Sequence, residues 1–183
     1  EKAEPLFFEA KTINEKVFGK EHLDYASSLN NLASVSLRLG NYEKAEPLYL
    51  DAKNIYEKAL GKEHPEYAKS LRNLATLYMD IKNFKKAESL ILATIALQKK
   101  VLGKDHPEYA ISLIVFAKFY EMQSRFTEST PLLAEALSLQ QARLSQGVSF
   151  LSEEELAQYA ATQRESSHSL NEYLLARPID QED

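Results

Sequence analysis

Three histidines stand in segments that could do chemistry. GKEHLDYASSLNNLA at 19–33, GKEHPEYAKSLRNLA at 61–75 and GKDHPEYAISLIVFA at 103–117 each bring a glycine, a carboxylate, an imidazole and a phenol close together. That order would suit an active-site loop, and three imidazoles could serve as metal ligands. The spacing argues otherwise. Gly19, Gly61 and Gly103 are 42 residues apart, as are His22, His64 and His106, and Tyr25, Tyr67 and Tyr109. A catalytic loop is rarely copied three times in a short chain, whereas a structural unit usually is. Histidines on successive packed elements would lie about 10 Å apart, too far to share an ion whose bonds are ~2 Å. Each precedes the first turn of a helix, where its ring can bond a loop carbonyl or a free N–H. The segment therefore reads as a corner between repeats.

No H-E-x-x-H, P-loop or EF-hand pattern is present. His168 is alone on a polar stretch, and Glu153, Glu154 and Glu155 suit a helix N-terminus. With no converging acid, base and nucleophile, the chain is expected to have no enzymatic activity and to need no metal or cofactor. The 183 residues are 44% apolar and 27% charged, enough to fold. A net charge of −5 argues against sequence-independent nucleic-acid binding, which needs a basic face. Cysteine is absent, which excludes disulfides and thiolate sites. No apolar run approaches the ~20 residues that cross a bilayer. The expected compartment is cytoplasmic. The first residue is Glu1, inside a helical pattern, so an excerpt from a longer protein is expected.

The elements that hold these corners follow from periodicity. Tyr67, Leu71, Leu74, Ala75 and Tyr78 make the one-sided stripe of a helix, here called type A. After a polar break at Asn83, Ala87, Leu90, Ile91, Thr94, Leu97 and Val101 make a second stripe, type B. Gly103 ends it, and Pro107 fits the first turn of the next helix. The other copies agree, and nothing alternates with period two. Ala33, Ala75 and Ala117 allow each A helix to approach its B helix, as do Ala45 and Ala87, although Ser129 stands in the third copy. Gly40 turns the chain from A to B, while Lys82 and Ser124 take its place later, a strain if φ is positive there. Each pair leaves apolar surface that only the next pair can cover, so the chain is read as an all-α solenoid.

The motif G-K-E-H-P-x-Y-A-x-S-L-x-N-L-A, with GNYEKAEPLY at 40–49, resembles the tetratricopeptide repeat in its 42-residue, kinesin-light-chain-like form. The resemblance implies a right-handed solenoid of antiparallel helix pairs whose groove holds peptide ligands. The expected organisation is an orphan B helix over 1–18, repeats over 19–61, 62–103 and 104–146, and a capping helix and linker over 147–183. One long helix is expected from about 153 to 176, opened by a Ser152/Glu155 capping box. FLSEEELAQYAATQRESSHSLNEYLLAR, from residue 150, resembles the linker of bacterial TPR–CHAT proteins, which implies a caspase-like peptidase beyond this chain. Two functions stay open on the sequence: a peptide-binding scaffold, or the regulatory arm of such a peptidase.

Function then lies on the surface. Stacked A helices line the concave side, where positions off the apolar stripe are Ser27, Asn30, Asn31, Ser34 and Arg38 in the first repeat. The second offers Lys69, Arg72, Asn73, Thr76 and Asp80, and the third Ile111, Ile114, Lys118, Glu121 and Met122. Basic residues outnumber acidic ones there, and an Asn amide can both donate to and accept from a peptide backbone. The expected binding set is Asn30, Asn31, Arg38, Lys69, Arg72, Asn73, Thr76 and Lys118, with Arg72 at the centre taking a ligand carboxylate. The third copy has Val115 where Asn31 and Asn73 stand, which interrupts the Asn ladder. The partner is expected to be a protein or acidic peptide, with no nucleic acid and no membrane. Helix 1–18 is expected to expose parts of Leu6, Phe7, Ile13 and Val17 and to self-associate through that end.

Overall fold

The computed structural model describes residues 3–148. They form seven helices and, among the described residues, no strand: α1 (Ala3–Phe18), α2 (Leu23–Arg38), α3 (Tyr42–Leu60), α4 (Pro65–Asp80), α5 (Phe84–Val101), α6 (Pro107–Glu121) and α7 (Phe126–Val148). The helix expected over 153–176 lies outside the described residues. The helices α1 to α6 each pack on their neighbours in sequence, α7 meets α6 where Leu132, Ala136 and Leu139 pack on Tyr109 and Leu113, and α2 also approaches α4, as α4 does α6. The B helices α3 and α5 make no comparable approach to each other. The A helices α2, α4 and α6 are therefore the inner row of a curved stack, and the B helices α3 and α5 its outer row.

Small side chains set these distances. Ala33, Ala75 and Ala117 on the A helices and Ala45 and Ala87 on the B helices are all completely buried. Ser129, in the same register, is equally buried, and its hydroxyl donates to Glu121 Oε1 at 2.8 Å. A polar atom survives there because it is bonded. Around this seam pack Leu29, Leu32, Leu74, Leu77, Ile91, Leu113 and Phe119, all buried. Leu74, Leu77 and Ile91 share one cluster with Tyr49 and Phe119, so consecutive pairs have a common core. No pair could bury its stripe alone.

The corners answer the question raised by the histidines. The backbone N–H groups of Asp24, Glu66 and Glu108 donate to Nδ1 of His22, His64 and His106 at 3.2, 3.1 and 3.2 Å. Each histidine is the N-cap of an A helix, in extended conformation, with Pro65 or Pro107 following in two of the three. The imidazole lone pair takes the part usually played by Ser, Thr, Asp or Asn. Among the described residues no group of three His, Asp or Glu side chains is placed to hold a metal ion.

The A-to-B turns are also built alike. The N–H groups of Asn41, Asn83 and Arg125 reach back to the carbonyls of Ser36, Tyr78 and Tyr120 at 2.8–2.9 Å. This closure requires a left-handed residue just before it. Gly40 takes φ 76° without difficulty, but Lys82 and Ser124 are both held at φ 59°. A side chain in that region is disfavoured by about 1 kcal/mol or more. Lys82→Gly is therefore expected to raise stability by roughly 0.5–1 kcal/mol, net of glycine's extra unfolded-state entropy. A urea titration should show a higher midpoint with an unchanged slope. A lower midpoint would mean that Lys82 contributes a contact outweighing its strain.

Candidate functional site

The inner face is where the sequence placed a peptide groove, and the fold sorts its residues into two groups. One group is consumed by packing. Asn30 is only 8% exposed and lies beside Tyr56 of α3, its side-chain oxygen buried without a hydrogen-bond partner among the described residues. Ser34 is half-buried beside Tyr49. Arg72, expected at the centre of the groove, is tied instead to the carboxylate of Glu108 at the start of α6, and its side chain is 12% exposed. Thr76 turns its hydroxyl onto its own helix, donating to the Arg72 carbonyl at 3.2 Å.

Asn30, Arg72 and Ile114 occupy the same place in successive A helices. In the second repeat this place faces the next A helix, through Arg72 and Glu108, in the first it faces Tyr56 of α3, and in the third Ile114 packs on the cluster of Tyr109 and Ala136. The physical reason is that an A helix packs on two sides at once, against its B helix and against the next A helix, which leaves a narrower free stripe. Glu108 was not singled out in the sequence because a carboxylate in the first turn of a helix is explained by the dipole alone. The available signal was the single basic residue in an otherwise uncharged row.

The second group is open. Asn31, Arg38, Lys69 and Lys118 are exposed, and Asn73 is half-buried. Lys69 lies 3.9 Å from Glu66, while Arg38 and Lys118 make no ion pair among the described residues. Of the acids expected on this face, Glu121 is engaged with Ser129 and Asp80 is half-buried. In the third repeat Ile111 and Met122 are exposed together with Lys118, so that end of the face combines apolar surface with a cation.

The tyrosines beneath the helices report the local electrostatics. Burial raises the phenols of Tyr49 and Tyr56 above their usual range; the neighbouring polar side chain of Ser34 and the charge of Arg38 oppose this at Tyr49, as the polar side chains of Asn30 and Ser27 do at Tyr56. Tyr78 is pushed up to about 12, first by burial and then by its hydrogen bond to Glu46. Its hydroxyl donates to Glu46 Oε1 at 2.7 Å, a bond that a phenolate could not make.

Antiparallel helix pairs stacked on a common seam, with one face of open polar side chains, define a helical-repeat scaffold. The chain belongs to the tetratricopeptide repeat family, whose profile matches residues 1–58, 26–90 and 68–142. It is accordingly a protein–protein interaction scaffold. BtubC (BKLC) from P. vanneervenii has the same fold at a TM-score of 0.67 and 22% identity over 78% of this chain. The present chain spans 57% of that protein's length. The putative kinesin light chain of Podosopora anserina with nearly identical TPR-like repeats superposes at a TM-score of 0.64 and 26% identity. That match covers 96% of this chain and 85% of the other, and a single-residue variant of the same protein gives the same score and identity. No curated protein matches this chain. No helix among the described residues is long and apolar enough to cross a membrane.

The Tyr78 shift has a direction that can be checked. A tyrosine whose folded pKa lies above its ordinary value of 10 contributes stability that is complete below pH 10 and is lost as pH rises toward 12. Wild type should lose stability over that window, and Tyr78→Phe should flatten the slope while lowering stability at neutral pH. Chemical denaturation at pH 8, 10 and 11 measures both. Parallel slopes for the two proteins would assign the alkaline loss to the other tyrosines.

Proposed function

We propose that the open stripe of the inner face binds an extended, net-acidic segment of a partner protein. The observation that carries this is the set of cations left without a partner among the described residues. Arg38 and Lys118 stand free, Lys69 is held only by a long contact, and the acids nearby are engaged or half-buried. Cations that are unpaired on α2 and α6 and only loosely held on α4 suit carboxylates spaced along an extended chain, not a single compact anion. Asn31 and Asn73 lie in register beside them and can hold the ligand backbone, while Ile111 and Met122 offer apolar surface at one end.

Arg72 has a different part in this reading. Its guanidinium links α4 to α6 through Glu108, so it sets the spacing of the groove and does not itself meet the ligand. The alternative, a regulatory arm of a CHAT-type peptidase, rests on residues 150–174, outside the described residues. The test is an array of acidic decapeptides without large apolar residues, probed with wild type, Arg38→Glu/Lys118→Glu and the outer-surface control Lys99→Glu. The double reversal should weaken the best binders by roughly tenfold or more and the control should not. Basic peptides as the best binders, or indifference to the double reversal, would remove the inner face from consideration.

We also propose that two copies associate through α1. Leu6, Ile13 and Val17 are 66%, 51% and 65% exposed, and with Ala10 they form one row of the helix that carries no charge. Phe8 and Phe18 add to the exposed surface, whereas Phe7 is half-buried. Leu48 and Ile55, the same positions in α3, pack against the core beneath α2. A neutral apolar row can meet its own copy across a two-fold axis without opposing like charges. Sedimentation equilibrium should find a dimer that Leu6→Glu/Ile13→Glu converts to monomer. A monomeric wild type at high concentration would refute it.

A further inference from the structure

Because the inner row is closely spaced, the outer row is splayed, and between α3 and α5 this opens a groove of about 740 Å³. Its floor is apolar: Leu50 of α3, Leu74 and Tyr78 of α4, and Leu90 of α5. Its lining includes Lys53, Lys85, Lys86 and Ser89. Lys53 also reaches Glu57 at 3.1 Å, and Lys86 lies 4.0 Å from Glu46, which accepts the Tyr78 hydroxyl. Lys85 is exposed and has no ion pair among the described residues.

The repeat supplies its own comparison. At the register positions of Lys53, Lys85 and Lys86, the α1–α3 side has Lys11, Glu43 and Lys44, and the α5–α7 side has Ile95, Thr127 and Glu128. Only the middle set is basic throughout. Ser89 likewise stands where Pro47 and Pro131 sit in α3 and α7, and its side chain is smaller than that of proline. Packing of the solenoid does not ask for these changes, since the neighbouring pairs stack without them.

We propose that this outer groove is a second docking site, for a short acidic segment of a partner protein that carries one or two large apolar side chains. The apolar side chains seat on Leu50, Leu74 and Leu90, and the carboxylates meet Lys85 first and then Lys53 and Lys86, exchanging with Glu57 and Glu46. A recessed apolar floor is of no use to a phosphate backbone, and a flat bilayer could not reach it. A chain of net charge −5 also disfavours a polyanion as large as nucleic acid. An acidic segment with apolar anchors matches both the floor and the rim.

The probes are fluorescein-labelled octapeptides that alternate Leu or Phe with Glu or Asp, titrated by anisotropy against the 183-residue chain. A matched set carries Lys in place of the acids. The acidic set should bind, with affinity falling by at least about tenfold in Lys85→Glu and in Ser89→Trp. It should be unchanged in Lys99→Glu, an exposed outer-surface lysine that does not line the groove. Backbone amide shifts on binding should concentrate at 83–90. Circular dichroism verifies that the variants fold, and Lys85→Gln offers a milder change with the same expected direction. The proposal is overturned if acidic peptides bind no tighter than basic ones, or if binding survives both Lys85→Glu and Ser89→Trp. It is equally overturned if the loss follows the inner-face reversal instead, or if vesicles containing phosphatidylserine bind through Lys85 while the peptides do not.

Discussion

Everything in this molecule depends on how closely one helix can approach the next across a seam of alanines. Ala33, Ala75 and Ala117 on one side and Ala45 and Ala87 on the other are completely buried, and a larger side chain at any of them would push two helices apart. Overpacking a close contact is destabilising by about 1–3 kcal/mol. The same displacement would propagate, because each B helix also covers the next A helix. The third repeat shows how little latitude exists: Ser129 is the one polar substitute, and it is accommodated by a hydrogen bond to Glu121.

Charged groups tie the surface together but do not hold the fold. Lys58 pairs with Glu21 and Lys100 with Glu63 in equivalent places, and all four side chains are well over half exposed. Such pairs are worth roughly 0–1 kcal/mol each, far less than the burial of a leucine at about 1.5–3 kcal/mol. The Arg72–Glu108 pair differs in kind, because Arg72 is largely desolvated and its partner is half-buried. Removing either one leaves a charge with nowhere to go. Close packing inside and polar pairing at its edge together explain why the A helices form a rigid inner row, on which a ligand would find side chains already in place.

Three copies of one unit also make a comparison within a single chain. Positions that repeat are those the stack needs: the capping histidines, the alanines and the tyrosines that open each A helix. Positions that vary are free to serve something else. Lys11 and Lys53 lie over the rings of Tyr25 and Tyr67, at 5.6 and 6.0 Å, while the third copy replaces the lysine by Ile95 and packs it against the cluster of Tyr109. Arg125 has taken a new place over Tyr120 at 4.4 Å. Departures like these record where repeats have diverged without damage to the seam.

The 42-residue period, the helical stripes and the corner residues were legible in the sequence because each is a local property. Helix ends are written in His22, His64 and His106 and the glycines that precede them, and the strain at Lys82 and Ser124 could be suspected from Gly40 alone. Which side chains stay exposed on the inner face was legible only in part. Arg38, Lys69 and Lys118 are where a helical wheel puts them, on the free stripe. Asn30 and Arg72 are not, since a wheel shows which face of a helix is polar but not how many neighbours press on it. Only the tertiary structure decided that Arg72 meets Glu108 and that Asn30 meets Tyr56. The spreading of α3 from α5 was hidden for the same reason: it follows from the curvature of the whole stack, a sum of packing angles that no single repeat carries.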